Sequence, residues 1–167
     1  KRDNESAIRM YEQLGFHRDH CLDVWKKGGL IRSNPFQHYH YPSLYEVRPR
    51  EFADWQNQKA WLDLNYPPAV RWYASQDFGN LSPWAWLNPL KWANLLELRQ
   101  VSLSVGEKLA AVLSLQRTKL RSDNLYIAAP ETSSESEHVK LLLTRFMQED
   151  WPGKPLVAEY PAGRAAS

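Results

Sequence analysis

The chain has 167 residues, 43% of them hydrophobic and 24% charged, which suits a single domain with a real core. Its 21 basic and 19 acidic residues leave a net charge of +2, too even for a nucleic-acid footprint, and its one cysteine, Cys21, excludes an internal disulfide or a cysteine-rich metal cluster. No apolar run reaches the ~18 residues of a membrane span, and nothing apolar follows Lys1-Arg2-Asp3-Asn4 as a signal peptide requires, so a cytoplasmic chain, cut from a longer protein because it lacks an initiator Met, is expected.

Residues 4–14 predict a helix, with Ala7, Tyr11 and Leu14 at helical spacing, Asn4 as the cap and Gly15 as the stop. Residues 17–27 predict a strand, and 28–43, with Gly28-Gly29, Asn34-Pro35 and Pro42, a linker. A strand over 44–48 precedes a helix over 49–64 that opens on Pro49 and puts Phe52, Trp55 and Leu62 on one side. Asn88-Pro89 starts a further helix to about Leu98. Val101, Leu103 and Val105 alternate with serines, as in a half-buried strand, and Gly106-Glu107 turns the chain into an interior strand over 109–116. A strand over 125–129, a helix over 134–149 and a strand over 155–160 complete a mixed α/β (α+β) order.

Asn4-Glu5-Ser6-Ala7, followed by Tyr11-Glu12 and Leu14-Gly15-Phe16, resembles the late-helix motif of the acetyl-CoA-dependent N-acetyltransferases of the GNAT superfamily. The resemblance implies that Tyr11 is the general acid that protonates the departing thiolate. It also implies that Asn4 and Ala7 lie along the pantetheine arm. A phenol near pKa ~10 is a poor acid in water but can hand a proton to an adjacent thiolate. The same letters also describe an ordinary capped amphipathic helix.

Leu125-Tyr126-Ile127-Ala128-Ala129-Pro130, with Leu141-Leu142 further on, is similar to the strand and helix that flank the pyrophosphate loop of that superfamily. On that likeness Tyr126, Ile127 and Ala128 are cofactor-binding. The loop itself departs from the family: Ser133, Ser134, Ser136 and His138 stand where Gln or Arg and glycines belong. Ser134 with Glu137 forms a capping box, and Glu131, Glu135 and Glu137 place negative charge where a pyrophosphate would sit. Weak or absent acetyl-CoA binding is the expectation.

The chain end, Gly163-Arg164-Ala165-Ala166, is similar to the opening of the same helix motif, as one period of a tandem array would be. The resulting division is 1–27 as the end of a first module, 28–43 as linker, and 44–167 as a second, degenerate module without its C-terminal helix and strands. An open sheet edge would need covering, so residues 4–27 are expected to dock beside 155–160, circularly permuting a GNAT-like, mostly antiparallel sheet within one chain or swapping between two in a homodimer.

The resemblance implies an amine acceptor for acetyl transfer in the parent protein, while the even charge, the lack of a long apolar run and the scattered histidines lead us to expect no nucleic-acid, membrane or metal partner. A non-enzymatic scaffold, dimerisation surface or substrate platform is the alternative. The tryptophans Trp55, Trp61, Trp72, Trp84, Trp86 and Trp92 are core payload or the floor of an acceptor pocket.

Overall fold

In the computed structural model, residues 4–16, 22–27, 45–66, 78–87, 95–119, 123–130, 136–148 and 155–161 are described. Its centre is a hairpin of two long strands, β3 (Leu95–Val105) and β4 (Lys108–Thr118). The turn is a two-residue loop between Val105 and Lys108, and Gly106 adopts φ +59°, the left-handed conformation that glycine enters without steric cost. Every residue of β4 from Ala110 to Gln116 is buried, as its two-sided apolar sequence requires.

β3 differs from the sequence expectation in where it starts and in what it buries. It begins at Leu95, so the helix expected to run to about Leu98 gives way to strand there. Its serines were expected on a solvated face, yet Ser102 and Ser104 are buried, and Ser102 Oγ donates to the Asp54 carboxylate.

Among the described residues the sheet has six strands in the order β1-β6-β5-β4-β3-β2, where β1 is Leu22–Lys27, β2 Tyr45–Pro49, β5 Asp123–Ala128 and β6 Leu156–Pro161. All neighbours are antiparallel except β5 and β6. The segment expected beside 155–160 docks there through β1, which pairs with β6 along its whole length, from Leu22 opposite Pro161 to Lys27 opposite Leu156.

Among the described residues three α-helices accompany the sheet: α1 (Glu5–Gln13), α2 (Trp55–Asn65) and α3 (Glu137–Gln148). A 3-10 turn, Phe52–Asp54, leads into α2, so Pro49 ends β2 instead of opening the helix. Asp54 anchors that entry. Its buried carboxylate takes two hydrogen bonds from the Arg48 guanidinium at 2.8 and 2.9 Å, one from the Glu51 N–H at 2.9 Å and one from Ser102 Oγ at 2.8 Å. Burial alone would push its pKa up; the bonds from Arg48, Glu51 and Ser102 outweigh that and hold it below the usual carboxylate value.

α2 turns Gln58, Leu62 and Asn65 inward, at the i, i+4, i+7 spacing of one helix face. Phe52, expected on that side, is exposed against Trp84, at 5.4 Å between ring centroids. α3 crosses the opposite face, where Leu103, Leu113, Leu115, Leu125 and Ile127 point; its Val139 and Leu142 are fully buried, and His138 meets Tyr45 at 6.0 Å. α1 buries none of its residues. Among the described residues no helix is long and apolar enough to cross a membrane.

Candidate functional site

The parallel pair β5/β6 is in register for three residues only: Asp123 opposite Leu156, Asn124 opposite Val157 and Leu125 opposite Ala158. Both strands continue, but among the described residues β5 from Tyr126 onward is paired only on its β4 side. Backbone groups of alternate residues face the same strand edge, so Leu125, Ile127 and Ala129 share one. Beyond Leu125 that edge loses its strand partner, and buried peptide groups there need others.

Two consecutive residues at the end of α2 supply them. Asn65 Nδ2 donates to the Ala129 carbonyl at 2.9 Å, and the Ile127 N–H donates to the Tyr66 hydroxyl at 3.5 Å. The first is a well-formed bond; the second is at the long limit and correspondingly weak. The Tyr66 ring is fully buried among Phe78, Tyr160 and Tyr126, with centroids at 5.2, 6.3 and 6.5 Å, and Phe78 stands edge-on to Tyr126 at 5.4 Å. An aromatic wall therefore lines the place where β5 and β6 part.

A transverse polar row leads away from it across the same face. Tyr126 lies opposite Ser114, and Ser114 opposite Gln100. Ser114 Oγ accepts from Gln58 Nε2 at 2.9 Å and from Gln100 Nε2 at 3.0 Å. Arg50 donates to Gln100 Oε1 at 2.8 Å and to the Leu81 carbonyl at 3.3 Å, and its guanidinium lies 5.7 Å from the Trp55 ring. Burial lowers the Arg50 pKa, against the raising field of Asp54.

The residues singled out from sequence divide into two groups. Tyr126, Ile127 and Ala128 lie together on β5 at the parting, all buried. Asn4, Ala7 and Tyr11 lie on α1. Asn4 Oδ1 is engaged as the helix cap, accepting from the Ala7 N–H at 3.2 Å and Ser6 Oγ at 3.0 Å. Gly15, at φ +85°, closes the helix with the Phe16 N–H on the Tyr11 carbonyl at 3.0 Å, and the Phe16 ring stands edge-on to Tyr11 at 5.8 Å. Tyr11 is 52% exposed, and among the described residues no hydrogen bond, ion pair or ring contact ties α1 to the β5/β6 parting.

The start of α3 also differs in detail. Lys140 N–H bonds the Ser136 carbonyl at 3.0 Å, which makes Ser136 the cap and puts Glu137 in the first turn. Ser133, Ser134, Glu131 and Glu135, and the capping box drawn on Ser134, lie outside the described residues, as do the linker 28–43, Trp72, Trp92, the Trp86 side chain and Gly163–Ala166. Trp55 and Trp61 pack partly buried against the core, whereas Trp84 is exposed.

Asn65, Tyr66, Phe78 and Tyr160 escaped the sequence reading. The signal for Asn65 was present, since Gln58 and Asn65 share a helix face with Leu62, and amides on an inward face are there to bond something. Among the described residues no three of His, Cys, Asp and Glu gather as a metal ion would need. No family model matches the chain, and no curated protein does.

Proposed function

We propose that residues 4–161 form one GNAT-like acyltransfer unit, in which an acetyl thioester is received where β5 and β6 part and an amine is the acceptor. The observation that carries this reading is the early end of the parallel pairing, which leaves the Ile127 N–H on an open strand edge with only a long bond to a side chain. Such an amide is a ready donor for a carbonyl oxygen that gains charge during reaction. The sheet order, with a single parallel pair crossed by α3 and β1 completing the edge at β6, and the Asn4–Phe16 motif both support it.

Acetyl-CoA supplies the acyl group as a thioester. The amine nitrogen forms the new C–N bond as the C–S bond breaks, and the proton lost by nitrogen balances the one gained by the thiolate; the Asn4–Phe16 resemblance names Tyr11 as the acid for the parent protein. Ile127 holds the carbonyl, and the aromatic wall of Tyr66, Phe78 and Tyr126 excludes water. The grip on the pyrophosphate is the weak point. Ser136 caps α3 where a glycine would admit a phosphate, and Glu137 puts negative charge at the helix's positive end.

Calorimetric titration with acetyl-CoA, combined with amide NMR, tests the reading. The expected result is weak binding with shifts at Ile127 and its neighbours on β5. A saturated titration that leaves 126–129 unmoved sinks it. A low-micromolar affinity with shifts over 131–138 overturns the weak-grip argument instead.

The second reading, a non-enzymatic platform, is favoured by one observation: Asn65 and Tyr66 already satisfy the open edge. It predicts no response of Ile127 to acetyl-CoA at any concentration.

A further inference from the structure

Two arginines flank the turn into α2, and they differ in what they meet. Arg48 is neutralised: its guanidinium donates to both carboxylate oxygens of Asp54 and comes within 3.5 Å of the Glu51 carboxylate. Arg50 meets only neutral acceptors: Gln100 Oε1 at 2.8 Å, the Leu81 carbonyl at 3.3 Å and the Glu51 carbonyl at 3.5 Å. Among the described residues no carboxylate lies within ion-pair distance of Arg50, and both oxygens of its neighbour Asp54 are engaged by Arg48. Burial lowers the Arg50 pKa, as it does for a cation drawn out of water without a counter-charge. A guanidinium has more N–H donors than these bonds use, and the bond to Glu51 is at the long limit.

Solvent reaches this cation, and aromatic surface borders it. Arg50 is half-buried, while Glu51, Phe52 and Trp84 are exposed. Two short segments are joined at both ends: Arg50 Nη2 bonds the Leu81 carbonyl, and the Phe52 ring stands edge-on to Trp84 at 5.4 Å between centroids. Ser82 folds the second segment, its Oγ accepting from the Trp84 N–H at 3.2 Å. The Cα atoms of residues 50 and 52 lie at most about 7 Å apart, so the guanidinium and the aromatic pair border one stretch of surface. Neither Phe52, 62% exposed, nor Trp84, 55% exposed, takes part in the core. Exposed aromatic rings beside an arginine are the side chains that carry most binding energy where proteins meet their ligands and partners.

We infer that Arg50, with Phe52 and Trp84, binds a small carboxylate carried on an aromatic or apolar body. The carboxylate accepts from the guanidinium and supplies the missing negative charge, and the body covers the two rings. Gln100 and the Leu81 carbonyl hold the guanidinium in place, and Gln100 is itself fixed by donating to Ser114 Oγ at 3.0 Å and to the same Leu81 carbonyl at 3.3 Å. The donors are thus oriented before a ligand arrives, which spares the cost of ordering them. An amine with the same body meets a like charge, and a phosphate leaves the rings uncovered. The site shares no residue with the β5/β6 parting, so it stands whether or not acetyl-CoA binds there.

The test is calorimetric titration of the full chain with phenylacetate, with acetate, benzylamine and inorganic phosphate as controls. NMR of the Arg50 Nε–H and the Trp84 indole N–H locates the binding. Saturable binding of phenylacetate that shifts both signals is expected, with all three controls weaker. Arg50→Gln should weaken phenylacetate binding roughly 10–100-fold, the worth of hydrogen bonds to a charged group. Trp84→Ala, at an exposed position, should weaken it about fivefold or more. Should Arg50→Gln fail to fold, Trp84→Ala and the benzylamine control still decide. Phenylacetate that does not bind, that leaves both signals unmoved, or that binds either variant as tightly as the parent overturns the inference. Benzylamine or phosphate that matches phenylacetate overturns it as well, the first by removing the need for a carboxylate and the second by removing the need for an apolar body.

Discussion

Removing the Tyr66 hydroxyl is the sharpest probe of the β5/β6 parting. Tyr66→Phe keeps a ring held by Phe78, Tyr126 and Tyr160, so packing changes little. What changes is the Ile127 N–H, which loses the partner it has at 3.5 Å and sits on a fully buried residue. A bond that long belongs at the lower end of the ~0.5–1.5 kcal/mol of a typical net hydrogen bond, but an orphaned buried donor costs about 1–3 kcal/mol.

A net loss near 1–2 kcal/mol follows for the free protein, which lowers Tm by roughly 2–8 °C in a chain of this size. An acyl carbonyl that reaches Ile127 then restores the missing bond without displacing anything. The variant should therefore bind acetyl-CoA about 5–30-fold more tightly than the parent, the same 1–2 kcal/mol seen through linkage. Differential scanning calorimetry without ligand and isothermal titration with acetyl-CoA measure the two sides. A folded Tyr66→Phe that binds acetyl-CoA no better than the parent refutes the idea that the hydroxyl stands in for a carbonyl oxygen. An unchanged Tm refutes the importance of the Ile127 bond.

Asp54→Asn removes the charge at the centre of the α2 entry; with Arg48 about a quarter exposed, water compensates part of the loss, and a cost of roughly 2–3 kcal/mol in urea unfolding is expected. The folded pKa of Asp54 is depressed, so its stabilisation is complete above the unfolded carboxylate value and disappears as pH falls through the lower folded value; Asp54→Asn should flatten the stability profile in that acid window, and an equally steep profile counts against the assignment. Tyr11→Phe, if the parent protein transfers acetyl groups, should lower turnover far more than acetyl-CoA affinity; unchanged kcat with chemistry rate-limiting removes Tyr11 from the mechanism.

Where the apolar pattern had one meaning, the sequence was readable. The two-sided apolar run of β4, the Gly106 turn and the Asn4–Gly15 helix with its cap and stop each follow from local chemistry. The need to cover an open sheet edge led to β1 beside β6, a contact no periodicity contains. The failures were tertiary. Ser102 and Ser104 look solvated in alternation, but both are buried and Asp54 uses Ser102 as a donor. Residues 95–98 continue a strand because β4 is long enough to pair them, with Leu95 opposite Thr118 and Leu98 opposite Gln116. Tyr66 and Tyr160 are distant in sequence and meet only through the parting of two strands, which no local pattern announces.

The inward face of α2 ties these features together. Leucine at positions 58 and 65 would fill the space between helix and sheet without leaving polar atoms to satisfy. Instead each amide sends its NH2 group into the sheet, to Ser114 and to Ala129, and leaves an oxygen without a partner. Asn65 and Tyr66 together do for β5 what a longer β6 pairing would have done, through side chains instead of a strand backbone. Binding at this edge is therefore an exchange of one hydrogen bond for another, and affinity reflects only the difference between them. A ligand that offers Ile127 a carbonyl oxygen gains by as much as its bond is better than the long one to Tyr66.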